Sequence, residues 1–115
     1  MPQLDEIIDS SALASMEAKA EEASRVLTAM ANAKRLMVLC NLLEGEKSVG
    51  QLAELVGLSA AALSQHLGKM RSLNLVATRR DGQTILYRLA SDSVASLLLT
   101  LHGIYCPPKP TPTKE

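Results

Sequence analysis

The chain contains no phenylalanine and no tryptophan, and only two tyrosines in 115 residues. A core without large rings has to be filled by leucine, valine, alanine and methionine, which suits packed helices better than a β-sandwich. Cysteine is scarce too: Cys40 and Cys106 stand alone, 66 positions apart. That leaves no CxxC pair and no Cys/His set at zinc-finger spacing, and argues against a disulfide framework. No apolar run approaches the roughly 18 residues that a membrane span needs. The opening MPQLDEIIDSS is acidic and lacks the basic start of a secretory signal, so a cytoplasmic protein without a membrane partner is expected. Nothing resembles a glycine-rich phosphate loop or a Cys-His-Asp set, so neither an enzyme nor a cofactor is expected.

Hydrophobic residues make up 47% of the chain, enough for one domain with one core. The net charge is zero, but the charges are segregated. Residues 1–25 carry six acids against Lys19 and Arg25, whereas residues 59–90 carry Lys69, Arg71, Arg79, Arg80 and Arg88 against Asp81 alone. Such asymmetry is compatible with a nucleic-acid surface and with a plain solvated basic face.

Met16, Ala20, Ala23, Leu27 and Met30 recur at helical spacing. Asn32 is placed to cap a second helix with Leu36, Leu39, Cys40 and Leu43 on one face, ended by Glu44-Gly45. After a short extended link at Ser48-Val49, a helix over 50–56 is closed by Gly57. Ser59 caps the next, which runs to about Leu73 and stops at Asn74. The period then changes. LVATRR and QTILYRL flank Asp81-Gly82, a hairpin signal in which both turn residues are expected at positive φ. A last helix from Ser91 or Asp92 has Val94, Leu97, Leu98, Leu101 and Tyr105 on its apolar face, and Pro107-Pro108 ends it. The expected fold is mainly α with a small β-hairpin wing, a winged helix-turn-helix of order α-α-(β)-α-α-β-β-α. Residues 1–15 are expected to form a flexible acidic arm, 16–106 the domain and 107–115 a disordered proline-rich tail.

The helix after Ser59 holds the candidate site. At 100° per residue Leu63, Leu67 and Met70 form a narrow inward stripe, and Ala61, Ser64, Gln65, Gly68, Lys69 and Ser72 project away from it. A major groove needs small residues for close approach and polar donors for base edges and phosphates. Gln65 suits adenine. Ser59 and Ser64 suit phosphate or base contacts near a helix N-terminus. Lys69 suits a phosphate. No acid lies between Glu54 and Asp81, whereas an ordinary solvated face would carry several. His66 sits nearer the inward stripe, either hydrogen-bonded to backbone or touching a phosphate. In the hairpin, Arg79 and Arg80 precede the turn and Gln83 and Thr84 follow it, a placement suited to phosphate clamping or minor-groove insertion.

Over residues 26–106 these features resemble the ArsR-type bacterial transcriptional repressors. The residues that carry the likeness are Leu27 to Leu36 (LTAMANAKRL), Ser48 to Ala53 (SVGQLA), Leu58-Ser59, Ser64 to Leu67 (SQHL) and Arg79 to Tyr87 (RRDGQTILY). The resemblance implies a homodimer, joined through the first and last helices, on double-stranded DNA with an imperfect inverted repeat. Many such proteins sense metals. Here Gln51-Leu52-Ala53-Glu54-Leu55 lacks Cys and His, and Asp92 and His102 stand at the wrong spacing for the last-helix site, so no metal is expected. Cys40 and Cys106, with Ile-Tyr-Cys-Pro closing the fold, resemble the dithiol persulfide-sensing group (the SqrR, BigR and YgaV type). That resemblance implies derepression when the two thiols react with persulfide, polysulfide or oxidants. The alternatives are two unrelated thiols, and an ArsR-type regulator of virulence or symbiosis genes without thiol sensing.

Overall fold

The structure, a computed structural model, describes residues 10–106. Its element order is α1 (Ser10–Met30), α2 (Ala33–Leu42), β1 (Lys47–Ser48), α3 (Val49–Val56), α4 (Ala60–Ser72), β2 (Val76–Asp81), β3 (Thr84–Leu89) and α5 (Asp92–Tyr105). This is the expected winged helix-turn-helix order. One boundary differs: α1 starts at Ser10 and not at Met16. Ala12, Leu13 and Ala14 are strong helix formers, and Leu13 extends the Met16 stripe by one turn. Residues 10–15 are therefore helix where a flexible arm was expected. The rest of that arm and the tail from 107 lie outside the described residues.

The core joins α2 (Val38, Leu39, Leu42), α3 (Leu52, Val56), α4 (Leu63, Leu67, Met70), Leu75, Val76 and α5 (Val94, Leu98). Burying a leucine fully stabilises by roughly 1.5–3 kcal/mol. The buried face of α2 is rotated from the expected stripe, leaving Leu36, Cys40 and Leu43 half-buried at its margin. LMVLCNLL is apolar on nearly every side, so its periodicity does not single out a face. Along the 21 residues of α1 only Ala29 and Met30 are buried.

Short polar side chains and one glycine set the helix ends. The Asn32 side chain accepts from the Arg35 amide at 3.0 Å. Ser48 and Gln51 form a reciprocal capping box, with the Ser48 amide donating to Gln51 Oε1 at 2.9 Å. That box starts α3 at Val49, one residue before the expected start. At the far end Gly57 takes φ 70°, and Lys34 Nζ donates to the Val56 carbonyl at 2.6 Å. α4 closes on Asn74 at φ 60°, with the Asn74 amide on Arg71 O and the Leu75 amide on Met70 O. This pair of bonds is a Schellman end, and it turns Leu75 into the core.

The sheet order is β1-β3-β2, antiparallel throughout. The hairpin turn lies one residue later than expected. Asp81 pairs with Thr84 inside the ladder, so Gly82-Gln83 is the two-residue loop. Of the two, Gly82 alone has positive φ (64°), the pattern of a type II′ turn. Glycine carries the left-handed residue, and Asp81 keeps ordinary strand geometry. Tyr87 and Leu89 pack against the helices, so one sheet face is tied to the core.

Candidate nucleic-acid interface

Packing decides which way α4 faces. Leu63, Leu67 and Met70 are fully buried, so the opposite side of the helix points outward. Ala61, Ser64, Gln65, Gly68, Lys69 and Ser72 are all exposed, as their spacing predicts. A Cβ at Gly68 would meet nothing within 4 Å, so that row lies open. Ser59 Oγ accepts from the Ala62 amide at 3.1 Å. Its acceptor role fixes the start of α4 and leaves the hydroxyl proton free to donate outward. His66 is half-buried, and among the described residues it makes no hydrogen bond. The backbone bond that one reading expected for it is absent, which leaves its ring nitrogens available.

In the wing, Arg79 and Arg80 stand on opposite sheet faces because successive strand residues alternate. Arg80 lies opposite Ile85, is exposed, and forms no ion pair among the described residues. Arg79 is engaged. Its Nε donates to both oxygens of Glu46, at 2.9 and 2.7 Å. That hydrogen bond holds the Glu46 carboxyl below the usual carboxylate range, with the Arg79 and Arg88 charges adding to it, and raises Arg79. Glu46 is the residue that sequence reasoning missed. Gln83 sits at the exposed tip and Thr84 beside it.

The two cysteines come together. Cys40 on α2 and Cys106 just beyond α5 line one groove of about 300 Å³, with Leu36, Leu98, Leu101 and Tyr105 among its walls. Both thiols are free; Cys40 is half-buried and Cys106 exposed. Burial pushes the Cys40 thiol up from its ordinary value, and the proximity of Cys106 pushes it the same way. Among the described residues, no three His, Cys, Asp or Glu side chains gather as a cation site would require.

A helix-turn-helix with an acid-free outer face and a basic hairpin beside it defines a DNA-binding regulator of the winged-helix class. Comparisons with known proteins narrow the class. Residues 32–78 match the family described as "Bacterial regulatory protein, arsR family". The chain is 56% identical over 86 residues to the nodulation protein NolR of Rhizobium meliloti, covering 75% of this chain and 70% of that one. It is 44% identical over 97 residues to the HTH-type transcriptional regulator YgaV of Escherichia coli, covering 83% and 97%. Among solved structures, reduced HlyU from Vibrio cholerae superposes with a TM-score of 0.75 at 46% identity, over 80% of this chain and 97% of that one. The chain belongs to the ArsR family, a class of DNA-binding transcriptional repressors and not of enzymes. Among the described residues no helix is long and apolar enough to cross a membrane.

Proposed function

We propose that the protein is a cytoplasmic homodimeric repressor that holds an inverted-repeat operator until Cys40 and Cys106 react with a persulfide, a polysulfide or an oxidant. The observation that carries the sensing half is the shared groove: two thiols 66 residues apart in sequence line one apolar cleft. Ser59, Ala61, Ser64, Gln65, His66 and Lys69 form the major-groove face, and Arg80, Gln83 and Thr84 the wing contact, joined by Arg79 once it leaves Glu46. Dimerisation is supported by the apolar surface left bare on the first and last helices. Leu13, Met16 and Leu27 of α1 and Leu97 of α5 are each more than two-fifths exposed, and a cleft of about 500 Å³ runs between α1 and Leu97. Pairing two copies there would present two α4 helices to major grooves about 34 Å apart.

The chemistry balances without a further oxidant. The exposed Cys106 thiolate attacks the outer sulfur of R–S–SH, the S–S bond breaks, and RS⁻ leaves and takes a proton. Cys106 then carries –S–SH. The Cys40 thiolate attacks Cys106 Sγ, HS⁻ leaves, and a disulfide forms between the two residues. If both thiols are persulfidated first, the outer sulfur of Cys40–S–S⁻ attacks Cys106 Sγ, and loss of HS⁻ gives a trisulfide. Burial and the nearby Cys106 raise the Cys40 thiol and lower its thiolate fraction, so the exposed Cys106 attacks first and Cys40 resolves.

A second reading, a regulator of virulence or symbiosis genes whose thiols are inert, is favoured by the raised Cys40 thiol and by the likeness to a nodulation protein. One experiment separates the two. After treatment with an organic persulfide, intact mass should show a bridged species, absent in Cys40→Ser and Cys106→Ser, and operator binding should fall in the wild type alone. Unchanged mass and binding would leave the second reading. Equal loss of DNA by wild type and Cys106→Ser would refute the paired-thiol mechanism.

A further inference from the structure

α1 meets the C-terminal half of α4 at a small pocket of about 150 Å³, lined by Ser24, Arg25, Thr28, Ala29, Lys69 and Leu73. Two cations from different helices share it, and two hydroxyls stand beside them. No carboxylate lines it. Neither Arg25 nor Lys69 forms an ion pair among the described residues, although Glu21 lies one turn before Arg25 on the same helix. Arg25 also breaks the character of its segment. The chain is acidic up to Glu22, and from Ala23 to Leu43 its charged residues are all basic. The switch in sign falls where α1 reaches α4.

Two unpaired cations at one cleft repel each other, and an oxyanion between them relieves that repulsion while accepting from the hydroxyls. Lys69 lies one turn beyond Gln65 on the outward face of α4, so an anion held here sits at the flank of the element that faces the groove. We propose that Arg25, with Ser24, Thr28 and Lys69, forms a clamp for one backbone phosphate of the DNA, which extends the binding surface from the helix-turn-helix onto α1. The proposal rests on the DNA-binding reading. It assigns a positioning contact that carries no base information. It also gives the otherwise acidic α1 an attractive contact with the duplex at the end that meets α4.

The test is a salt series on the full chain, followed by fluorescence anisotropy with the operator duplex and a scrambled duplex. Arg25→Gln should lower the magnitude of the log K against log salt slope by about 0.9 per protomer, and should weaken both duplexes by the same factor. An unchanged slope in Arg25→Gln, or a loss confined to the operator, would overturn the clamp. Titration of the free protein with inorganic phosphate distinguishes the other source of the same chemistry. Saturation at Ser24 and Thr28 in the NMR spectrum, abolished by Arg25→Gln while the DNA slope is unaltered, would make this a small-anion site instead. Failure of the wild type to bind its operator would sink the DNA-binding reading itself, whereas normal wild-type binding with an unaltered slope in Arg25→Gln sinks the clamp alone.

Discussion

Replacing Glu46 with glutamine should tighten DNA binding. In the free protein both Glu46 oxygens accept from Arg79 Nε, so a phosphate that recruits Arg79 has to displace a carboxylate first. Glutamine keeps the size and removes the charge. One additional phosphate contact adds about 0.9 to the salt slope, which between about 1 M and 0.15 M salt is a factor of about five per protomer. For two protomers the gain is roughly 25- to 30-fold at the lower salt. Phosphate contacts do not read sequence, so operator and scrambled duplexes should gain alike and their ratio should hold. The sign with pH follows from the depressed Glu46 carboxyl. The folded-state value lies below the unfolded one, so the pair's stabilisation is fully present above the ordinary carboxylate range and is lost as pH falls through the lowered value. The pair is therefore intact throughout neutral buffers, and the effect of Glu46→Gln should be flat between about pH 6 and 8. Anisotropy titrations over a salt series measure both the gain and the slope. Affinity at or below wild type with an unchanged slope would refute the reasoning, because Arg79, freed of its carboxylate, would then reach no phosphate and the pair would serve only to brace the wing.

Two further substitutions separate the scaffold from the reading face. Leu67→Ala, at a fully buried position, should cost about 2–5 kcal/mol in urea unfolding. Gln65→Ala, on the opposite side of the same helix, should change stability by less than about 0.5 kcal/mol while reducing the preference for operator over scrambled duplex. Gly57→Ala should destabilise by about 1–2 kcal/mol, because a Cβ at φ 70° is strained in the backbone. Its new methyl would stand 3.7 Å from Lys34 Nζ, an ordinary contact, so crowding adds little. A melting temperature equal to that of wild type would show that the turn relaxes instead.

The element order was legible because each boundary carries a chemical signal: Asn32, Ser48, Gly57, Ser59 and Asn74 all occur where a cap or a left-handed residue is required. The outward face of α4 was legible for a related reason, since three buried apolar residues leave one possible orientation for the rest. Four features were not. The hairpin turn moved by one residue because Asp81-Gly82 and Gly82-Gln83 both satisfy the local turn chemistry, and the choice falls to cross-strand pairing. The face of α2 was ambiguous because its residues are apolar almost all round. The Glu46–Arg79 pair spans 33 residues and depends on β3 lying between β1 and β2, a strand order that local pattern does not encode. The meeting of Cys40 with Cys106 is likewise a product of tertiary packing; the residues themselves favour two unrelated thiols, and only the resemblance to the dithiol group pairs them.

On the proposed function, α2 is the part that can carry a signal from the thiols to the DNA-reading face. Lys34 in its first turn holds the Val56 carbonyl at the end of α3, next to the Gly57 turn, and Cys40 two turns later lines the groove with Cys106. The ten residues of α2 span about 15 Å as one rigid rod. Its middle, Val38 and Leu39, is fully buried, and close-packed interiors do not deform continuously. A sulfur bridge that draws the Cys40 end toward α5 must therefore shift the rod as a body, and the Lys34 end shifts with it, carrying the α3–α4 turn out of register with its partner in the dimer. Linkage then imposes a condition in the reverse direction. If bridging lowers operator affinity by some factor, operator binding lowers the equilibrium constant for bridging by the same factor. DNA-bound protein should accordingly resist bridging at sulfide-donor ratios that convert the free dimer, and equal bridging equilibria with and without operator would mean that α2 transmits nothing between the two sites.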